Sequence, residues 1–257
     1  PPPPTTTQST SRRQRQMCIR DSSATYRQDS TTTAERWKAD PGNALLSRGP
    51  SRRLAAEQLR DTALASSGLL HHKLGGPPVA PYQPPKLWRE SNSMTPAFKQ
   101  SVGKDLYRRS IYTVWKRTAP MPNMIAFDAP GREVCSAKRS STNTPIQALV
   151  LLNDVQFVEA CRVLAQRILK QADSDEDRLA KAYLLLTGTQ PDQYERELLL
   201  GLLQRQRAYY ADHPGDAKKL AEQGESKRDE SLEVAEVASW AMVIQAVMNS
   251  DDTVWRR

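Results

Sequence analysis

The feature that constrains this chain most is a train of amphipathic segments in its C-terminal half, each with its own start and stop signals. Thr144-Pro145 is a helix start, a capping residue followed by proline at the first helical position. IQALVLL follows, and Asn153-Asp154 interrupts it. VQFVEACRVLAQRILKQA, residues 155–172, sets Val158, Cys161, Leu164, Ala165 and Ile168 along one stripe. Residues 175–187 place Leu179, Tyr183 and Leu186 inward, with Gly188 as the stop. Residues 192–211 carry Leu198, Leu199, Leu202 and Tyr209. HPGDAKKLAEQGESKRDE then reads as a polar connection with one short helix. LEVAEVASWAMVIQAVMN, residues 232–249, is apolar on most sides, which marks a helix central to the core. No fixed-period repeat and no strand–helix–strand alternation is visible. The fold class is therefore all-α, an irregular multi-helix bundle with long Pro-rich loops.

The N-terminal half supplies those loops. RRLAAEQLRDTALASSGLL predicts a helix with Leu54, Leu59, Ala63 and Leu70 near one face, stopped by Gly75-Gly76-Pro77. GGPPVAPYQPPKLW, residues 75–88, holds five prolines, which force an extended strap with Tyr82 and Trp88 as its anchors. KDLYRRSIYTVWKRT, residues 104–118, has Tyr107, Ile111 and Trp115 at helical spacing and is read as a helix, although its β-branched and aromatic content also suits a strand. APMPNMIAFDAPGREVC reads as a loop. Residues 23–50 are polar and irregular, with a turn at Asp40-Pro41-Gly42.

The opening PPPPTTTQSTS is low-complexity and cannot bury a core. MCIRDS beside it looks like the translation of a sequencing adapter. Residues 1–22 are accordingly expected to be a disordered assembly scar, and residues 23–257 a single helical domain from the C-terminal part of a larger protein. The net charge of +8 includes four arginines and one acid from that opening stretch, so the remaining excess is mild and spread along the chain. Without basic residues clustered among aromatics, nucleic-acid binding is not expected. No apolar run reaches the roughly 18 residues of a membrane span.

Motifs for catalysis are scarce. His71 and His72 are adjacent, so they point to different helix faces, and no HExxH spacing exists. They read as a solvated pair at a helix end. Cys135 and Cys161 form neither CxxC nor CxxCH, so no metal or cofactor is expected in this chain. A buried free thiol is the default, and a disulfide becomes an option on export. One constellation stands out, FDAPGREVCSAKRSSTNTPIQALVLLND, residues 127–154. Its candidate ligand-binding residues are Asp128, Arg132, Glu133, Arg139, Asn143, Asn153 and Asp154. Arginines hold carboxylates bidentately, a helix N-terminus attracts anions, and Asp128 with Glu133 would make an acid/base pair if close. The alternative is a polar network pinning a long loop. Residues 131–144 contain only Val134, Cys135 and Ala137 as apolar groups, so polar bonds must hold them. Asp128, Arg132, Glu133, Arg139 and Asn143 are expected to converge beside the helix begun by Pro145. Part of the network should be buried, where loss of one partner costs on the order of 3–5 kcal/mol.

Four separated stretches carry a resemblance: RRLAAEQLRDTALASSGLL, GGPPVAPYQPPKLW, DLYRRSIYTVWKRTAPMPNMIAFDAPGREVC and TNTPIQALVLLNDVQFVEA. Together they resemble the planctomycete-type C-terminal domain of unknown function, over about residues 23–257. The ending VMNSDDTVWRR is similar to that family's usual close, although Pro78, Lys86 and Ser250 depart from its pattern. The resemblance implies an exported multidomain parent, periplasmic or extracellular, with a cytochrome-c-like domain upstream. It places haem c there rather than in this chain, and it names the upstream domains and polysaccharide as partners. It brings no catalytic residues. The first reading is a structural or binding module of such a parent; the alternative is a carbohydrate-acting or hydrolase-like domain using the 128–154 cluster.

Overall fold

The structure is a computed structural model describing residues 19, 21–90 and 98–256, which divide into two units. Most of the 1–22 segment lies outside the described residues. One unit runs up to Arg53 and takes in the residues from Trp255 onward. It holds α1 (Ala34–Ala39) and a short antiparallel pair, β1 (Arg52–Arg53) with β2 (Trp255–Arg256). The Asp40-Pro41-Gly42 turn is present. The Asp40 carboxylate accepts from the backbone N–H groups of Ala44 and Leu45 at 2.8 and 2.9 Å, and Arg48 donates to the Asp40 and Pro41 carbonyls.

The second unit, Leu54–Val254, is all-α apart from isolated bridges. Its elements are α2 (Ala56–Ser67), α3 (Leu87–Glu90), two 3-10 turns (Gly103–Tyr107 and Ser110–Tyr112), α4 (Pro122–Ala126), α5 (Pro145–Asn153), α6 (Val155–Gln171), α7 (Asp175–Thr187), α8 (Gln193–Asp212), α9 (Pro214–Ala221), α10 (Val234–Met248) and α11 (Asp251–Val254). The apolar α10 is the core helix. Val237, Ala238, Trp240, Ala241, Val243, Ile244 and Val247 are all buried in it, and α6, α7, α8 and α9 pack around it. The predicted α6 stripe of Val158, Cys161, Leu164, Ala165 and Ile168 is buried throughout. In α7, Leu179, Tyr183 and Leu186 face inward and Gly188 caps the helix at φ +85°. Of Leu198, Leu199, Leu202 and Tyr209 in α8, only Leu199 is buried; Leu203 and Tyr210 complete its inward face. Arg207 ties α8 to the starts of α7 and α10, bonding Asp175 at 2.6 and 2.9 Å and Glu236 at 2.9 Å.

Three expectations for the N-terminal half need correction. Helix α2 stops at Gly68, well before Gly75-Gly76-Pro77. Gly68 takes φ +85°, and Leu70 N–H turns back to the Leu64 carbonyl, so the helix closes at the first residue able to adopt a left-handed cap. His71 and His72 therefore lie beyond the helix. Residues 104–118 are not an α-helix. Their backbone groups pair with the strap and the residues just before it instead: on the strap Val79 donates to Tyr112 and accepts from Val114, each at 2.8 Å, and ahead of it His71 donates to Tyr107. An extended strap needs a partner chain, and the β-branched and aromatic residues of 104–118 suit that role. Finally, the 119–135 loop contains α4, with Pro122 at its first position.

Candidate functional site

The strap, α4 and α5 enclose the site. Two buried arginines hold this region together. Arg108 points its guanidinium at the carbonyls of Lys73, Gly75 and Pro77 and lies 4.0 Å over the Tyr112 ring. Arg60, on α2, donates to the Leu106 and Arg108 carbonyls, to Ser110 Oγ and to Gln156 Oε1 at 2.8–3.2 Å. The strap is then pinned to α6 through Glu159, which is fully buried. Tyr107 and Tyr82 donate their hydroxyls to its carboxylate at 2.8 and 3.0 Å, Ser226 N–H donates at 2.7 Å, and Arg162 lies 3.9 Å away. Burial, with the adjacent Glu159 charge, pushes both tyrosines above the usual phenol range. The carboxylate approaches the backbone at Gly224 (φ +95°) so closely that a Cβ there would overlap it.

Tyr82, fixed in this way, forms one wall of an open cleft of about 310 Å³. Pro84, Pro122, Ile146, Leu149 and Val150 supply apolar walls, and Asn123, Asn153 and Asp154 supply the polar groups. Ile146 and Leu149 stand 62% and 57% exposed, so the cleft has an unpartnered aliphatic rim. Asp154 caps α6 and accepts from Gln156 N–H at 2.9 Å. Desolvation raises its carboxyl above the ordinary range, against the pull of the Gln156 N–H, the Asn123 amide and the more distant Arg60 charge. Asn123 is buried to 7% exposure, and its Oδ1 has no hydrogen-bond partner among the described residues.

Of the seven sequence-derived candidates, the five expected to converge beside the Pro145 helix do not bond one another. Asn153 and Asp154 line the cleft. Asp128, at φ +58°, accepts from Thr142 N–H at 2.7 Å and from its hydroxyl at 2.9 and 3.0 Å; Gln147 in turn donates to Thr142 Oγ1 at 3.1 Å. Arg139 makes a bidentate pair with Glu57 on α2, at 2.8 and 3.2 Å. Burial would raise the Glu57 carboxyl, but the Arg139 bonds, its own backbone N–H and the nearby Arg132 charge outweigh it and hold the group below its usual range. Arg132, at φ +61°, covers the Trp115 ring at 4.7 Å. Glu133 and Asn143 are exposed and make no bond to another described residue. Residues 131–144 are exposed from end to end, so the expectation of a buried convergent network is corrected. The loop is held by the Asp128–Thr142 bonds, by Trp115 against Gly131 and Arg132, and by one surface ion pair, none of which needs burial of the loop.

The residues that sequence reasoning missed are Tyr82, Asn123, Ile146 and Leu149 as parts of one cleft. A signal existed in IQALVLL, where six of seven residues are apolar, more than one buried stripe can absorb. Of the cysteines, Cys161 is buried with its thiol pushed up by desolvation, whereas Cys135 is exposed, and both are free. No group of three or more His, Cys, Asp or Glu among the described residues is placed to hold a metal ion. No helix among them is long and apolar enough to cross a membrane.

Fold and cleft together define an all-α domain with an open, largely apolar cleft whose lining holds one carboxylate, Asp154. The chain belongs to the family described as PSD1, protein of unknown function (DUF1553), whose model matches residues 10–203. That match reaches into the 1–22 segment and ends within α8, before the VMNSDDTVWRR motif. Comparisons with curated proteins and with solved structures returned no match.

Proposed function

We propose that the Leu54–Val254 unit is a non-catalytic binding module that meets its ligand in the α5 cleft. The observation that carries this reading is the fate of the acid pair the sequence offered. Asp128 has both carboxylate oxygens committed to Thr142, while Glu133 is exposed and bonded to no described residue. A paired acid/base site needs two positioned groups within reach of one substrate, and the cleft lining contributes only one carboxyl, Asp154. Pre-formed apolar walls with a few polar groups at one end are what a binding site requires. Family membership supports placing this module in an exported, multidomain, cytochrome-c-linked parent, in the periplasm or outside the cell, with any haem c in an upstream domain. The carbohydrate-acting alternative retains only the polar end of the cleft.

The test is an assay of the purified chain against a panel of glycosides, esters and amides, beside Asp128→Asn and Glu133→Gln variants. Background rates throughout are expected. Turnover that either variant abolishes would replace the binding module with an enzyme.

A further inference from the structure

Resting on the reading of the cleft as a binding site, we propose that its ligand is a primary ammonium group on an aliphatic stem. Asn123 and Asp154 line the polar end of the cleft. Asn123 Oδ1 is buried without a partner, and a buried acceptor left unpaired is a cost that a ligand donor removes. Asp154 offers carboxylate oxygens beside it, and no basic side chain among the described residues pairs with that carboxylate directly. Arg60 is the nearest positive influence, but its guanidinium is occupied by the Leu106 and Arg108 carbonyls, Ser110 and Gln156, with Asp61 at 3.9 Å. Tyr82 offers no free donor, because its hydroxyl proton goes to Glu159 and its oxygen accepts from Glu225 N–H. A ligand here must therefore donate. An ammonium has three donors and no acceptor, and its charge answers a carboxylate that burial has left under-compensated.

The walls decide between an amine and a neutral polyol. Pro84, Pro122, Ile146, Leu149 and Val150 make a slot that is aliphatic except for Tyr82. Methylene stems pack along such surfaces while the charged head stays at the polar end. The source is either a lysine side chain of a protein or a free aliphatic amine.

Isothermal titration calorimetry of the full chain tests this with n-butylammonium, 1,5-diaminopentane, Nα-acetyl-lysine N-methylamide, n-butanol and glucose as probes. The amines are expected to bind at least about tenfold more tightly than n-butanol. Asp154→Asn should remove that preference while the helix cap persists, since asparagine caps as well as aspartate. Leu149→Arg, at an exposed position, should block the slot. If the acetyl-lysine amide binds as well as butylammonium, the ligand is a lysine side chain; if only diaminopentane binds, it is a free amine. Equal binding of n-butanol, or undiminished amine binding by Asp154→Asn, would overturn the proposal. Glucose binding with the amines silent would overturn it too, while leaving the cleft a binding site.

Discussion

At the scale of single residues, Asp154 combines two roles that pull in opposite directions. As the cap of α6 it is stabilising; as a desolvated carboxyl it is costly when ionised. Its folded value is raised, so folding favours the protonated form. The stabilising contribution appears as pH falls through the raised value, and at neutral pH the ionised group is a cost. Asp154→Asn should thus melt at or above the wild-type temperature at pH 7, with the difference shrinking as pH falls into the ordinary carboxylate range. A clear drop in Tm at pH 7 would contradict this. Arg139 is a milder case. Its pair with Glu57 is half exposed, so Arg139→Ala should cost about 0–1 kcal/mol in urea unfolding, far below a buried pair. Neither environment was legible beforehand. The sequence marked Asn153-Asp154 only as a break between two apolar segments, whereas Asp154 shares its cleft with Asn123 and Tyr82, which lie far away along the chain.

At the scale of elements, Glu159 joins the strap, the first 3-10 turn and the 223–226 loop to α6. Its carboxylate is fully buried and receives three donors, with Arg162 also buried beside it. Glu159→Gln leaves Arg162 uncompensated and should cost on the order of 3–5 kcal/mol, measured by chemical denaturation. Tyr82→Phe removes one of those donors and should cost about 1–3 kcal/mol. Gly224→Ala should destabilise for two reasons, a left-handed φ and an overlap with Glu159. If all three variants unfold like wild type, the strap is held by something else. The strap's extended path was legible from its five prolines. Its partner was not, because 104–118 carries a helical spacing that pairing with the strap overrides.

At the scale of the whole molecule, α5, α6, α7 and α10 were legible in outline from local signals: Thr144-Pro145, the Asn153-Asp154 break, Gly188 and the apolar run of α10. The 127–154 stretch was noticed for its polar residues, yet Asp128, Arg132 and Arg139 serve the loop. Ile146 and Leu149 on α5 are exposed, as is Val134 in the loop. Polarity in a sequence marks where bonds must form; it does not say whether they form within the fold or with a ligand. An exposed Ile146 and Leu149 near an Asn123 whose Oδ1 lacks a partner could be recognised only once three distant segments were brought together.

The central claim is that the working surface is the α5 cleft rather than the 131–144 loop. Hydrogen–deuterium exchange of the full chain, with and without saturating 1,5-diaminopentane, addresses it directly. Slower exchange is expected in residues 121–126 and 145–156, with 131–144 unchanged. Protection confined to 131–144 would contradict it.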